Sequence, residues 1–172
     1  MTSTGEQIKA VLDRNVKALS LRPSVGQGTA VSRARLTEGL ACQVEDGEWK
    51  LTVDMSAKSG GANTGPNPGV LGRASLGSCL AISYAMWAAR NGVEIRSLEV
   101  EVQADYDSRG LFRLDKVKAG YGQVRCIVNI DSDAPAEELR RILDEANAGS
   151  TYLQMWLEPQ DVRLDIRVKG QE

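Results

Sequence analysis

Residues 68–90, PGVLGRASLGSCLAISYAMWAAR, read as a helix that has to be buried. Asn67 can cap it with its side-chain oxygen, and Pro68 at the first helical position has no N–H to leave unpaired. Asn91-Gly92 supplies the stop. The segment is apolar on most faces and rich in Gly, Ala and Ser, so neighbouring elements can approach it closely. At 172 residues and 42% hydrophobic composition, the chain can bury one core and is short for two independent ones. The other elements are therefore expected to pack around this helix.

Their patterns follow from periodicity. Residues 4–20 carry Ile8, Val11, Leu12, Val16 and Leu19 on one helical face, with a capping box at Thr4 and Gln7 and a stop at Pro23. From 28 to 55 the pattern shortens to about three strands, TAVSRARL and then LACQVEDGEWKLTVDM, turning at Glu45-Asp46-Gly47. Residues 56–69, SAKSGGANTGPNPG, form the longest irregular stretch and read as a flexible connector. They have neither the Lys-Ser/Thr ending of a P-loop nor G-x-G-x-x-G spacing, which argues against nucleotide binding.

Beyond the central helix, residues 95–106 alternate, with Leu98, Val100, Val102, Ala104 and Tyr106 expected inward. Residues 120–130 alternate through Val124, Cys126, Val128 and Ile130, and 108–120 connect the two strands. A second helix is expected within SDAPAEELRRILDEANA, capped at Ser132 or Asp133 and started by Pro135. The chain then closes with a strand in which Val162, Leu164, Ile166 and Val168 alternate with charge. Strands and helices are partly segregated, so the class is α+β rather than doubly wound α/β.

The chemistry is narrowed by an absence: the chain contains no histidine. Ser-His-Asp and Cys-His catalysis are removed, and so is imidazole ligation of zinc. Three separated cysteines cannot close a four-thiolate metal site, so no metal and no cofactor are expected. Their odd number and wide spacing do not make a disulfide framework, which fits a reducing compartment. Twenty-one Lys plus Arg against 23 Asp plus Glu leave a net charge of -2 with no block of like charge, so nucleic acid is not an expected partner. The first residues lack the apolar core of a signal peptide, and no run approaches the roughly 18 apolar residues a membrane span needs. A soluble, cytoplasmic protein is expected.

Cys42 and Cys126 fall on the apolar phase of strands and read as small core residues. Cys79 lies eleven residues into the central helix, about 16 Å along its axis, too far for the helix dipole to be its main activator. A reactive thiolate there needs a cation, which in this chain means Arg or Lys. Arg33 and Arg35 share one strand face; they either reach that thiol as fixed charge or line an exposed edge strand.

The run GGANTGPNPGVLGRASLGSCLAISYAMWAARNGVEIRSLEVEVQADYD, residues 60–107, resembles the core of the OsmC family, the osmotically inducible and organic hydroperoxide resistance proteins. A Gly-rich loop and Asn-Pro lead into a helix carrying a cysteine, followed by an alternating strand. The resemblance extends from about residue 29 to 169. It implies an OsmC-like fold over residues 26–172, with residues 1–25 as an N-terminal helical extension. Also implied are an antiparallel sheet around a long central helix and a second helix, and an intertwined homodimer with two sites at the subunit interface. The function implied is a stress response: Cys79 would attack a hydroperoxide and become a sulfenic acid, and Arg35 or Arg33 would stabilise its thiolate.

Two positions depart from the family pattern. Gly69 replaces the glutamate that follows Asn-Pro, and Ser150 stands where a resolving cysteine would be. Two readings follow: a one-cysteine hydroperoxide reductase that uses an external thiol, or an inactive dimer that binds an apolar small molecule or a partner at its interface cleft.

Overall fold

The computed structural model describes residues 4–168 and Gly170. Residues 1–3, 169, 171 and 172, which include both ends of the sequence-based domain division, lie outside the described residues. The order is α1 (Gly5–Leu21), β1 (Ser32–Glu38), β2 (Ala41–Asp46), β3 (Trp49–Val53), α2 (Pro68–Arg90), β4 (Ser97–Tyr106), β5 (Tyr121–Asp131), α3 (Ala136–Ala148) and α4 (Thr151–Leu157). Strands β1, β2 and β3 form one antiparallel sheet in that order, and β4 pairs with β5 in another. This is an α+β architecture.

Local signals set the helix bounds. Thr4 and Gln7 make a reciprocal capping box at the start of α1. The Asn67 side chain accepts the Val70 N–H at the start of α2, and Pro68 occupies the first turn. The core forms where α2 lays Leu76, Leu80 and Tyr84 against Ala146 of α3, with Val100, Val102, Val124 and Val128 of the β4–β5 sheet packed alongside. Gly77 lets the helix lie close to β4: a side chain there would press on Val102 at 3.2 Å.

The segment expected to be a flexible connector is instead tied down by one carboxylate. Asp54, only 2% exposed, follows directly on β3. Its oxygens accept the N–H groups of Met55 (2.7 Å), Ala62 (3.0 Å) and Thr64 (3.1 Å) and the Thr64 hydroxyl (2.9 Å). Gly61 and Gly65 allow the chain to pass this closely, since a side chain at either would run into the carbonyls of Met55 and Thr52. The Thr64 N–H does most to hold the Asp54 carboxyl below its ordinary value; the Thr64 hydroxyl and the Met55 and Ala62 amides add to it, against an opposing push from burial.

A depressed carboxyl contributes stability that is complete above its unfolded value and lost as pH falls through the folded one. Asp54→Asn puts an amide donor among these donors and is expected to lower Tm by about 5 °C or more at pH 7. That deficit should shrink as the pH drops below 3.8, the ordinary carboxyl value, because the wild type then loses the same ionic contacts. Thermal denaturation of both proteins from pH 7 to 3 measures it, and a deficit that does not change with pH contradicts the assignment.

Five expectations need correcting. The helix α2 is buried on one side only, for Ile82 and Met86 are exposed on the other, Ile82 by 60%. Tyr106 does not continue the inward phase of β4, because the register with β5 shifts between Asp105 and Tyr106 and turns its ring out. Cys126 is exposed rather than in the core. Ser132 does not cap α3, whose N-cap is Pro135; its hydroxyl donates to the Glu94 carbonyl (2.6 Å) and accepts the Ala134 N–H. Finally, residues 162–168 form no strand, although their alternation is clear, and Val162, Leu164 and Ile166 are left more than three-quarters exposed. A strand pattern reports what a segment can pair with, and among the described residues this one pairs with no strand.

Candidate functional site around Cys79

Helix α2 carries Leu76 and Leu80 into the core, and Cys79, one residue from Leu80, is half-buried beside them. It faces the corner between α3 and α4. Gly149 ends α3, and Ser150 begins α4 as its N-cap, its hydroxyl accepting the Leu153 N–H at 3.4 Å. The Cys79 Sγ lies 3.6 Å from the Ser150 Oγ. Ser150 is 1% exposed, so its hydroxyl has to find its partners within the protein.

The corner is stitched to α2 one turn beyond Cys79. The Tyr84 hydroxyl donates to Asn147 Oδ1 (2.7 Å), Ser83 Oγ donates to the Ala146 carbonyl (3.4 Å), and Gln154 Nε2 donates to the Asn147 carbonyl (3.2 Å). Burial pushes the Tyr84 phenol above its ordinary value, so it remains a protonated donor at neutral pH. These contacts hold Ser150 in register with Cys79.

Gly69 lies in the first turn of α2. A side chain built there would come within 3.2 Å of Asn67 Oδ1, 3.3 Å of the Tyr121 hydroxyl and 3.4 Å of Arg73 Nη1. Arg73 Nη1 donates to that hydroxyl at 3.1 Å, and the Tyr121 ring stacks on Trp156 of α4 at 5.7 Å between centroids. Trp156 Nε1 is buried with no hydrogen-bond partner among the described residues. This cluster of Arg73, Tyr121 and Trp156 was missed from sequence, although Arg73 is the only charge between Pro68 and Arg90 and so stands out in an apolar helix. Helix α4 was missed as well. Its signal is Ser150 as a cap before Leu153, Trp156 and Leu157, three apolar residues at helical spacing.

The two arginines of β1 are elsewhere. Every residue of β1 is exposed, and Arg35 makes a loose ion pair with Glu45 at 3.7 Å. Neither Arg33 nor Arg35 hydrogen-bonds to Cys79 within the protomer; among the described residues the polar partner of Cys79 Sγ is Ser150. Of the other thiols, Cys42 lies in β2 opposite Leu36 and Val53, and partial burial pushes the Cys126 thiol up, which disfavours its reactive form. A cleft of about 560 Å³ opens between the start of α1 and the end of α2, lined by Ile8, Lys9, Ala85 and Ala89 among others, and does not include Cys79.

Known proteins share this fold. The sequence profile of the family described as OsmC-like protein matches residues 60–165, more than half of the chain. Among curated protein sequences, none matches significantly. An OsmC-like protein from Mycoplasma pneumoniae superposes with a TM-score of 0.67 at 14% identity, over 77% of this chain and 90% of that one. An organic hydroperoxide resistance protein from Legionella pneumophila does so with a TM-score of 0.55 at 17% identity, over 74% of this chain and 88% of that one. For an organic hydroperoxide resistance protein from Elizabethkingia anophelis the TM-score is 0.56 at 18% identity, over 74% and 87%. At such identities the likeness is one of fold, but together with the profile match over Cys79 and its helix it leads to one assignment: this chain belongs to the OsmC family.

Proposed function

We infer that the protein is a one-cysteine, thiol-dependent reductase of organic hydroperoxides, acting through Cys79. The observation that carries this is the half-buried Cys79 sulfur on the central helix, 3.6 Å from the hydroxyl of Ser150, a position to which the family resemblance assigns a second thiol. The Legionella and Elizabethkingia relatives are described as organic hydroperoxide resistance proteins, and that chemistry is what we transfer. In it the Cys79 thiolate attacks the outer peroxide oxygen. An S–O bond forms, the O–O bond breaks, and the alkoxide leaves and takes a proton to become an alcohol. An external thiol then attacks the sulfenic sulfur, water leaves, and a second external thiol releases the mixed disulfide and restores Cys79.

This reading includes a homodimer. The outer face of α2 is apolar and exposed next to Cys79, and all of β1 is exposed. A second copy covering that face could bring its own β1, and with it Arg35 or Arg33, toward the thiol, whose hydrogen-bond partner among the described residues of its own protomer is Ser150. Residues 1–25 are then an extension on a domain that begins at 26. No helix among the described residues is long and apolar enough to cross a membrane.

The competing reading, an inactive dimer that binds an apolar ligand or a partner in its interface cleft, draws on Gly69 and on the fact that no arginine hydrogen-bonds to Cys79 among the described residues. Incubation with cumene hydroperoxide and dithiothreitol separates the two. The wild type is expected to consume the hydroperoxide, and Cys79→Ser to fall to the uncatalysed background. Equal consumption by both leaves only the binding role.

A further inference from the structure

Ser150 does more than stand where a thiol is missing. Its hydroxyl has one proton and two acceptor sites, and one acceptor site is used by the Leu153 N–H. The proton needs an acceptor inside the protein because Ser150 is buried, and the acceptor within reach is Cys79 Sγ at 3.6 Å. A thiolate has no proton to give back, so in that state the bond can run only from Oγ–H to sulfur. A hydrogen bond to an ionised acceptor is the stronger kind and favours the ionised form.

We propose that Ser150 is a hydrogen-bond donor to the reacting sulfur, holding Cys79 in its nucleophilic state and orientation. The corner that carries no resolving thiol thus supplies activation instead. The place of this bond in turnover rests on the hydroperoxide reductase reading; the bond itself does not, and it is tested without hydroperoxide.

Ser150 also caps α4, and the test has to separate the two roles. As N-caps, Thr and Gly are about equal and Ala is much worse, whereas as hydroxyl donors Thr resembles Ser and both Gly and Ala are empty. The rate of iodoacetamide capture at Cys79, read by peptide mass at pH 7, is compared in wild type, Ser150→Thr, Ser150→Gly and Ser150→Ala. A hydrogen bond to a charged group is worth about tenfold or more, and the greater intrinsic nucleophilicity of the less stabilised sulfur offsets part of its loss. Capture is therefore expected to slow roughly threefold to tenfold in both the Gly and the Ala variants and to stay close to wild type in the Thr variant. Ala alone slow, with Gly like wild type, would reduce Ser150 to a cap, and four equal rates would also overturn the proposal. Should the added methyl of Ser150→Thr disturb folding by circular dichroism, the Gly and Ala pair still decides: equal slowing supports the donor, and unequal slowing overturns it. Hydroperoxide consumption by the same proteins reports separately on the reductase reading, which can fail while the capture pattern holds.

Discussion

Ser150→Cys is expected to convert the protein into a two-thiol enzyme. The introduced sulfur would sit close to Cys79 Sγ, since the present oxygen is 3.6 Å away and the longer C–S bond extends its reach, while a disulfide needs S–S of about 2.05 Å. With one equivalent of hydroperoxide, the sulfenic acid on Cys79 should condense with the new thiol and release water, leaving an intrachain disulfide visible as a loss of two hydrogen atoms by mass and reversed by dithiothreitol. That bond would close a loop of some 70 residues, for which chain entropy alone stabilises the folded state by about 4 kcal/mol at 25 °C. A rise in Tm under oxidising conditions that reductant removes is the second readout. Two free thiols persisting after oxidation, by hydroperoxide or by diamide, would show that the corner cannot close.

The second large effect concerns assembly. Each chain has a mass of 18.6 kDa, so the proposed dimer should sediment at twice that, about 37 kDa. Ile82 and Met86 on α2, together with Val162, Leu164 and Ile166, leave apolar side chains in water that a second copy would cover. Ile82→Asp places a carboxylate in the middle of the α2 face, where burial without a partner is costly, and is expected to return the mass to that of one chain. It should leave the inner face, with Leu76 and Leu80, intact by circular dichroism. A wild type that already sediments as a monomer at micromolar concentration would remove the source we assign to the missing arginine.

The sequence was most legible where structure is decided locally. Asn67, Pro68 and Asn91-Gly92 bound α2 as read, and Thr4 with Gln7 starts α1, because caps act over three or four residues. It was least legible where distant residues meet. Arg73 and Tyr121 are 48 positions apart, and nothing in the spacing of either announces the bond between them. Asp54 read as the end of a strand, and three of its four donors, from Ala62 and Thr64, lie in a segment whose Gly and Asn content signals only irregular backbone. Ser150 was read for its redox meaning, which hid its ordinary role as a helix cap. Residues 162–168 show a further limit: alternation identifies a segment able to pair, without placing a strand edge beside it.

The Asp54 knot also has a mechanical meaning. It grips residues on both sides of the turn between β3 and α2, and the Asp54 N–H donates to the Pro66 carbonyl, just ahead of the Asn67 cap. The three-stranded sheet is thereby clamped to the helix that bears the thiol. Within one protomer, the strands that hold Arg33 and Arg35 and the helix that holds Cys79 are thus fastened to each other at Asp54, outside the core built on Leu76 and Leu80.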